Sequence, residues 1–305
     1  MNGCVFLEAN IKDTKITNQK RIDFLALFLN LFVRFFKNFF LGLQAYWQAI
    51  TFIRKNKMYW YIVFPALLMI AVYKIGELIQ NHQINTDAEN MNALTWVLVY
   101  MLIEISIALM LMNFAKYLVV IVLSPLLAHL SVKTENILTG NTYPFNLTQF
   151  IHDVKRGLRI SFRNLFWQYC FFIVVFLMSF LILGEAKHIA ARSIIFVIGS
   201  FYYGFSFLDY VYERLKMNLH DSVHFMRQNR GLAISIGSIY SALIFMPVNL
   251  EVLFSLHGFA NEGIIFQIAE FLLHAILWIA ASTAPILTIV AATIAMNNFI
   301  GLKKS

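Results

Sequence analysis

Four ionisable residues stand inside long apolar runs of this chain: Glu104, Lys116, Glu270 and His274. A charge in hydrocarbon is costly, so such residues usually face a bundle interior or water, where they pair, relay protons or guide ions. Glu270 and His274 fall at i and i+4 and so share a helix face. All four are candidates for a polar path through a membrane. An interhelical hydrogen bond is the plainer alternative, and Lys116 is also placed to snorkel to the cytoplasmic end of its run.

A second feature is the basic cluster Arg54, Lys55 and Lys57, just ahead of the apolar run that opens at Tyr59. A dianion site in a membrane needs backbone N–H groups at a helix start together with Arg or Lys. A helix beginning near Met58 supplies the amides and a favourable dipole. The three residues are therefore candidate anion ligands, with a positive-inside anchor as the alternative, since such clusters precede many spans. His220 and His224 share a helix face as a metal pair would. No general-base Glu lies between them and no third ligand is near in sequence, which favours a solvated cytoplasmic helix and no metal site. There is no Walker motif, no Ser-His-Asp pattern and no Gly-rich phosphate loop. No catalytic set, no cofactor and no ATP-driven engine is expected.

The elements that must position these groups follow from composition. The chain is 60% hydrophobic and 13% charged, against about 25% charged in soluble domains. The apolar residues come in runs near the roughly 20 residues that cross a bilayer as a helix. They do not alternate as barrel strands would, so helices satisfy the backbone. The net charge of +8 lies in residues flanking the runs, as positive-inside topology requires, and no nucleic-acid motif accompanies it. Cys4 and Cys170 cannot build a disulfide framework. Lys20 and Arg21 precede an apolar stretch without the layout of a signal peptide.

Along the chain, residues 1–23 read as a polar cytoplasmic tail. Residues 24–57 read as an amphipathic interfacial helix in which phenylalanines alternate with Asn30, Arg34, Lys37 and Asn38. A full span competes with that reading, and Arg34 with Lys37 in mid-run argues against it. Residues 58–300 read as a membrane domain. Spans are expected at about 59–78 and 93–123, the second ended by Pro125. A basic cytoplasmic segment follows at 126–163. Runs 164–184 and 189–208 form a hairpin, either fully spanning or half-penetrating. Runs 231–248 and 263–297 complete about six apolar segments, the last kinked or broken by Pro285. Loops 80–92 and 251–262 lack Lys and Arg. Both termini are therefore expected in the cytoplasm and both loops on the far side.

Motifs in the middle of the chain carry a family likeness. Ser124-Pro-Leu-Leu runs on to Leu138-Thr-Gly140, and Asp153-Val-Lys-Arg156, Leu208-Asp-Tyr210, Phe245-Met-Pro247 and Ala284-Pro-Ile-Leu-Thr-Ile-Val-Ala-Ala-Thr293 follow in order. Over about residues 38–300 the chain resembles the CysZ-like sulfate permease and etoposide-induced protein 2.4 family. The resemblance implies an all-α integral membrane bundle, with half-penetrating hairpins among its segments and homo-oligomers in a bacterial inner membrane. The lipid bilayer and a small inorganic anion, sulfate by resemblance, are the implied partners, and passive or ion-coupled anion passage the implied function. Counting back from Pro65, the arginine pair of the family's Gly-x-Arg-Arg turn falls on Tyr59 and Trp60, and its glycine on Lys57. The chain also carries an insertion between Pro247 and Pro285 that includes Leu250–Phe271. The alternative function is a non-transport scaffold or assembly protein acting through its basic cytoplasmic helices.

Overall fold

The computed structural model describes residues 2–81, 95, 99, 121–141, 147–181, 186–244, 246–254 and 264–301. All regular structure among them is helical. Nine α-helices can be followed through these residues: α1 (Asn2–Lys55), α2 (Val63–Asn81), α3 (Ser124–Thr139), α4 (Leu147–Leu181), α5 (Ala186–Arg214), α6 (Leu219–Gln228), α7 (Arg230–Ile244), α8 (Leu250–Phe254) and α9 (Ile264–Ile300). A short 3-10 helix, Met58–Ile62, joins α1 to α2. Among the described residues, four stretches are long and apolar enough to cross a membrane: Met58–Ile75, Lys155–Ser179, Ile189–Arg214 and Ile265–Ile300. The chain is thus an all-α bundle with several candidate spans. Most of the run expected at 93–123 lies outside the described residues, and Glu104 and Lys116 with it.

The other elements depart from the sequence reading in instructive ways. The boundary expected at residue 23 falls inside α1, one helix of 54 residues. The run at 231–248 yields α7, only 15 residues long. At 1.5 Å per residue that is about 22 Å, short of the roughly 30 Å hydrocarbon layer. Pro285 does not end α9, which runs on through it. Neighbouring helices and side chains can re-satisfy backbone freed by an intramembrane proline. Here Pro285 is buried inside the bundle.

α7 sits at the centre, packed against α5 on one side and α1 on the other, with α9 across it. Small residues permit this. Gly204 of α5 and Gly237 of α7 meet backbone to backbone: a Cβ on Gly237 would lie 1.8 Å from the Ser200 carbonyl oxygen, and one on Gly204 would lie 1.9 Å from that of Ala233. On the opposite face of α7, a Cβ on Gly231 would lie 2.1 Å from the Phe35 carbonyl oxygen of α1. The pattern is small-xxx-small, Ser200-x-x-x-Gly204 facing Ala233-x-x-x-Gly237, which brings membrane helices close enough for backbone contact.

α1 turns the stripe Asn38, Gly42, Ala45, Tyr46, Ala49 and Ile53 inward. Its outer face carries Phe28, Phe32, Phe36 and Phe40, one per turn with neighbouring rings 4.6–6.4 Å apart, all exposed. α4 and α5 pack as a hairpin. From Phe171 to Ser179 and from Ile189 to Ile198 no side chain is buried, so the distal half of the hairpin stands clear of the bundle with apolar residues outward.

Candidate functional site

The basic cluster lies at the turn between α1 and the first candidate span. Arg54 and Lys55 close α1, where carbonyl groups and the dipole favour cations. Asn56 caps the same end, its side-chain amide donating to the Phe52 carbonyl at 2.8 Å. Lys57 is left-handed, with φ 55° and ψ 33°. That conformation costs an L-residue about 1–2 kcal/mol and a glycine almost nothing. The turn thus adopts a glycine's backbone at the position where the resemblance places one. Met58, wholly buried, pins the turn to the core. The 3-10 helix passes into α2 without a break, the Val63 N–H donating to Trp60 and Tyr61 carbonyls. Amides lacking an intrahelical partner are therefore those at the start of this short helix, beside Lys57. Arg54, Lys55 and Lys57 are all exposed, and no carboxylate among the described residues pairs with them. The Tyr59 and Trp60 rings follow in the chain, tilted against each other with centroids 5.7 Å apart, and are also exposed.

The Glu270 and His274 pair does share one face of α9, both half-buried. The Nδ1 of His274 accepts the backbone N–H of Asn249 at 3.2 Å. That bond ties α9 to the segment leading into α8 and leaves Nε2 as the protonated nitrogen of the neutral ring. His220 and His224 are exposed on α6, and His224 bonds Gln228 at 2.9 Å. Among the described residues no group of three metal-ligating side chains gathers.

The family-like motifs turn out to be joints. Leu138-Thr-Gly140 closes α3: Gly140 is left-handed at φ 77°, and its N–H donates to the Asn136 carbonyl. Glu135, buried on α3, accepts from the Arg214 guanidinium at the end of α5 and from Asn141 at 3.3 Å. Arg156 on α4 is held four ways. Its guanidinium donates to both oxygens of Asp209 at 3.3 and 3.4 Å, to the Met217 carbonyl at 2.7 Å and to Ser222 at 3.2 Å. Glu213 stands 3.9 Å away. Asp209 is nearly inaccessible. The Met217 carbonyl is in place because α5 ends in a left-handed Lys216, with Met217 N–H returning to the Tyr212 carbonyl. In the sequence Arg156 and Asp209 stand in separate motifs, and nothing local pairs them. The signal available was the pair of acidic residues, Asp209 and Glu213, near the end of a largely apolar helix.

Three further polar contacts were not foreseen. Asn229, between α6 and α7, accepts on its side-chain oxygen from Arg34 at 3.2 Å and Asn38 at 3.0 Å, both on α1. Inside the bundle, Ser131 of α3 meets Thr293 of α9 at 2.8 Å. Tyr46 of α1 donates to the Ile236 carbonyl at 2.6 Å and lies 2.9 Å from the Thr288 hydroxyl. Arg34 and Asn38 belong to the polar stripe of α1, whereas Tyr46, Ser131, Thr288 and Thr293 lie within largely apolar helix faces.

A helical membrane bundle knit at one end by buried ion pairs is therefore the class of protein defined by fold and joints. The chain belongs to the family described as Sulfate transporter CysZ/Etoposide-induced protein 2.4, whose model matches residues 45–254. α9, the motif Ala284–Thr293 and the aromatic part of α1 before Ala45 lie outside the match. Among curated proteins, none matches the chain. Family membership and the helical bundle support a membrane transport role.

Proposed function

We propose that the protein passes a small inorganic anion, sulfate by family, across the bacterial inner membrane, and that the anion first meets Arg54, Lys55 and Lys57. One observation carries the siting: three exposed cations, unpaired with carboxylate among the described residues, surround a helix start that opens a candidate span. Tetrahedral oxyanions are held by such combinations of amides and charged donors. The family description supports the substrate. The exposed rings of Tyr59 and Trp60 flank the site as interfacial residues do.

The test is sulfate uptake into proteoliposomes, with Arg54, Lys55 and Lys57 together replaced by Gln. Losing three charged contacts should lower sulfate affinity by roughly a hundredfold, counting about 1 kcal/mol for each. Correctly inserted protein that keeps full uptake would make the cluster an anchor. No uptake by the unaltered protein would favour a scaffold acting through its basic helices.

We also propose that both termini are cytoplasmic and that residues 80–92 and 251–262 face the opposite side, since neither loop carries Lys or Arg. A cysteine at Asp87, in a Cys4→Ser, Cys170→Ser background, should react with an impermeant maleimide only from outside. Reaction only from the cytoplasmic side would overturn the orientation.

A further inference from the structure

The geometry points to a binding site for the phosphate of an anionic phospholipid headgroup, beside the α6–α7 joint, held by Arg34 of α1, Arg163 of α4, and Arg227 and Arg230. The first support is the wiring. Asn229 takes Arg34 of α1 onto its side-chain oxygen, and the residues flanking this joint are Arg227 and Arg230. The Arg230 side chain donates to the Arg227 carbonyl at 3.0 Å. The charge of Arg227 reaches Arg163 on α4 electrostatically, and both reach the Tyr202 hydroxyl of α5. Hydrogen bonding thus places Arg34 beside the joint that Arg227 and Arg230 flank, and Arg163 lies within electrostatic range of Arg227.

The second support is that these charges are uncompensated. None of the four is paired with a carboxylate among the described residues. The acidic group within range of Arg163 is Asp209, which is already occupied by Arg156. Arg163 itself is half-buried. It spends one nitrogen on Asn164 at 3.0 Å and lies 5.0 Å over the Phe205 ring. Its Nε is buried without an acceptor. Like charges drawn together with a free donor gain most from a dianionic or monoanionic phosphate.

The third support selects the lipid. The helices that carry Arg34 and Arg163 expose aromatic rings near those residues in the chain, Phe32, Phe36 and Phe40 on α1 and Phe162, Phe166 and Trp167 on α4. Arg163 lies in the early part of a candidate span. Cations at a membrane–water boundary, rimmed by aromatic rings that prefer that boundary, suit a headgroup whose acyl chains lie along the rings. Most of this surface belongs to α1 ahead of the family match or to residues the family-like motifs omit.

Native mass spectrometry of the purified full chain, titrated with phosphatidylglycerol or phosphatidylcholine, tests the assignment. The unaltered protein should hold phosphatidylglycerol at least tenfold more tightly. Arg163→Gln with Arg227→Gln should remove about tenfold of that preference, while replacing Arg54, Lys55 and Lys57 by Gln should leave it intact. Arg163→Lys with Arg227→Lys should preserve most of it. Should the Gln pair fail to fold, the preference of the unaltered protein and of the Lys pair decides. Equal retention of the two lipids by unaltered protein would overturn the site, as would an undiminished preference in the Gln pair. Inorganic phosphate that raises the melting temperature as much as phosphatidylglycerol at equal concentration would overturn the lipid as its ligand.

Discussion

Gly237→Ala is expected to destabilise the protein by about 3 kcal/mol or more, a large loss for one added methyl group. The new Cβ would sit 1.8 Å from the Ser200 carbonyl oxygen and 2.7 Å from the Gly204 nitrogen. Both are backbone atoms in the middle of helices, so no rotamer change relieves the clash. α5 and α7 would have to separate. α7 cannot retreat, because Gly231 already meets the α1 backbone on its other side. The control is Gly157→Ala on α4, where the added Cβ would make an ordinary 3.7 Å contact with the Tyr210 hydroxyl. There the gain in helix propensity should stabilise by up to about 1 kcal/mol. Thermal unfolding in detergent should show the two variants moving in opposite directions. A Gly237→Ala protein as stable as the parent would mean that α5 and α7 do not touch at this crossing.

The second large effect is expected at the Arg156–Asp209 clamp. Breaking a buried ion pair by removing one partner costs about 3–5 kcal/mol, because the remaining charge is stranded. The two removals should be unequal. Arg156→Ala strands Asp209, almost fully enclosed, whereas Asp209→Ala leaves Arg156 partly exposed with Met217, Ser222 and Glu213 still in reach. Arg156→Ala should therefore be the worse. The double variant should cost clearly less than the sum. Arg156→Lys should fail to restore stability, since an ammonium cannot span two carboxylate oxygens, a backbone carbonyl and a hydroxyl at once. Additive losses in a double-mutant cycle would show that the pair is not coupled.

The path from sequence to these joints was uneven for physical reasons. Long apolar runs bounded by basic residues announce candidate spans, and α2, the α4–α5 hairpin and α9 arose where the runs lie. The lengths were harder to read. Polar residues 147–163 continue as the first half of α4, because an amphipathic helix and an apolar one join without any local signal. Pro285 read as a kink or a break, and the break did not occur because a buried helix with packed neighbours tolerates one missing amide bond. The basic turn was visible as a charge cluster, but the left-handed Lys57 was not, since lysine gives no hint of that backbone. The pairing of Arg156 with Asp209, and of Glu135 with Arg214, spans 53 and 79 residues. Such pairings are decided by how helices cross, which a single sequence does not state. The glycines of α5 and α7 were legible only as small residues four apart, without naming the surface each would meet.

The threefold stack of α1, α7 and α5 also fixes where this molecule can move. Backbone touches backbone on both sides of α7, leaving no side-chain layer to act as a bearing. Helices in such contact cannot slide by a ridge or rotate without lifting apart, so the three behave mechanically as one block. α2 differs: few of its described side chains are buried, and it is attached through the 3-10 turn and one flank of α9. α3 meets α9 through hydroxyl groups that can exchange partners. Any shape change that accompanies passage of a solute is thereby directed to the seams along α9, with the α1–α7–α5 block as the stator.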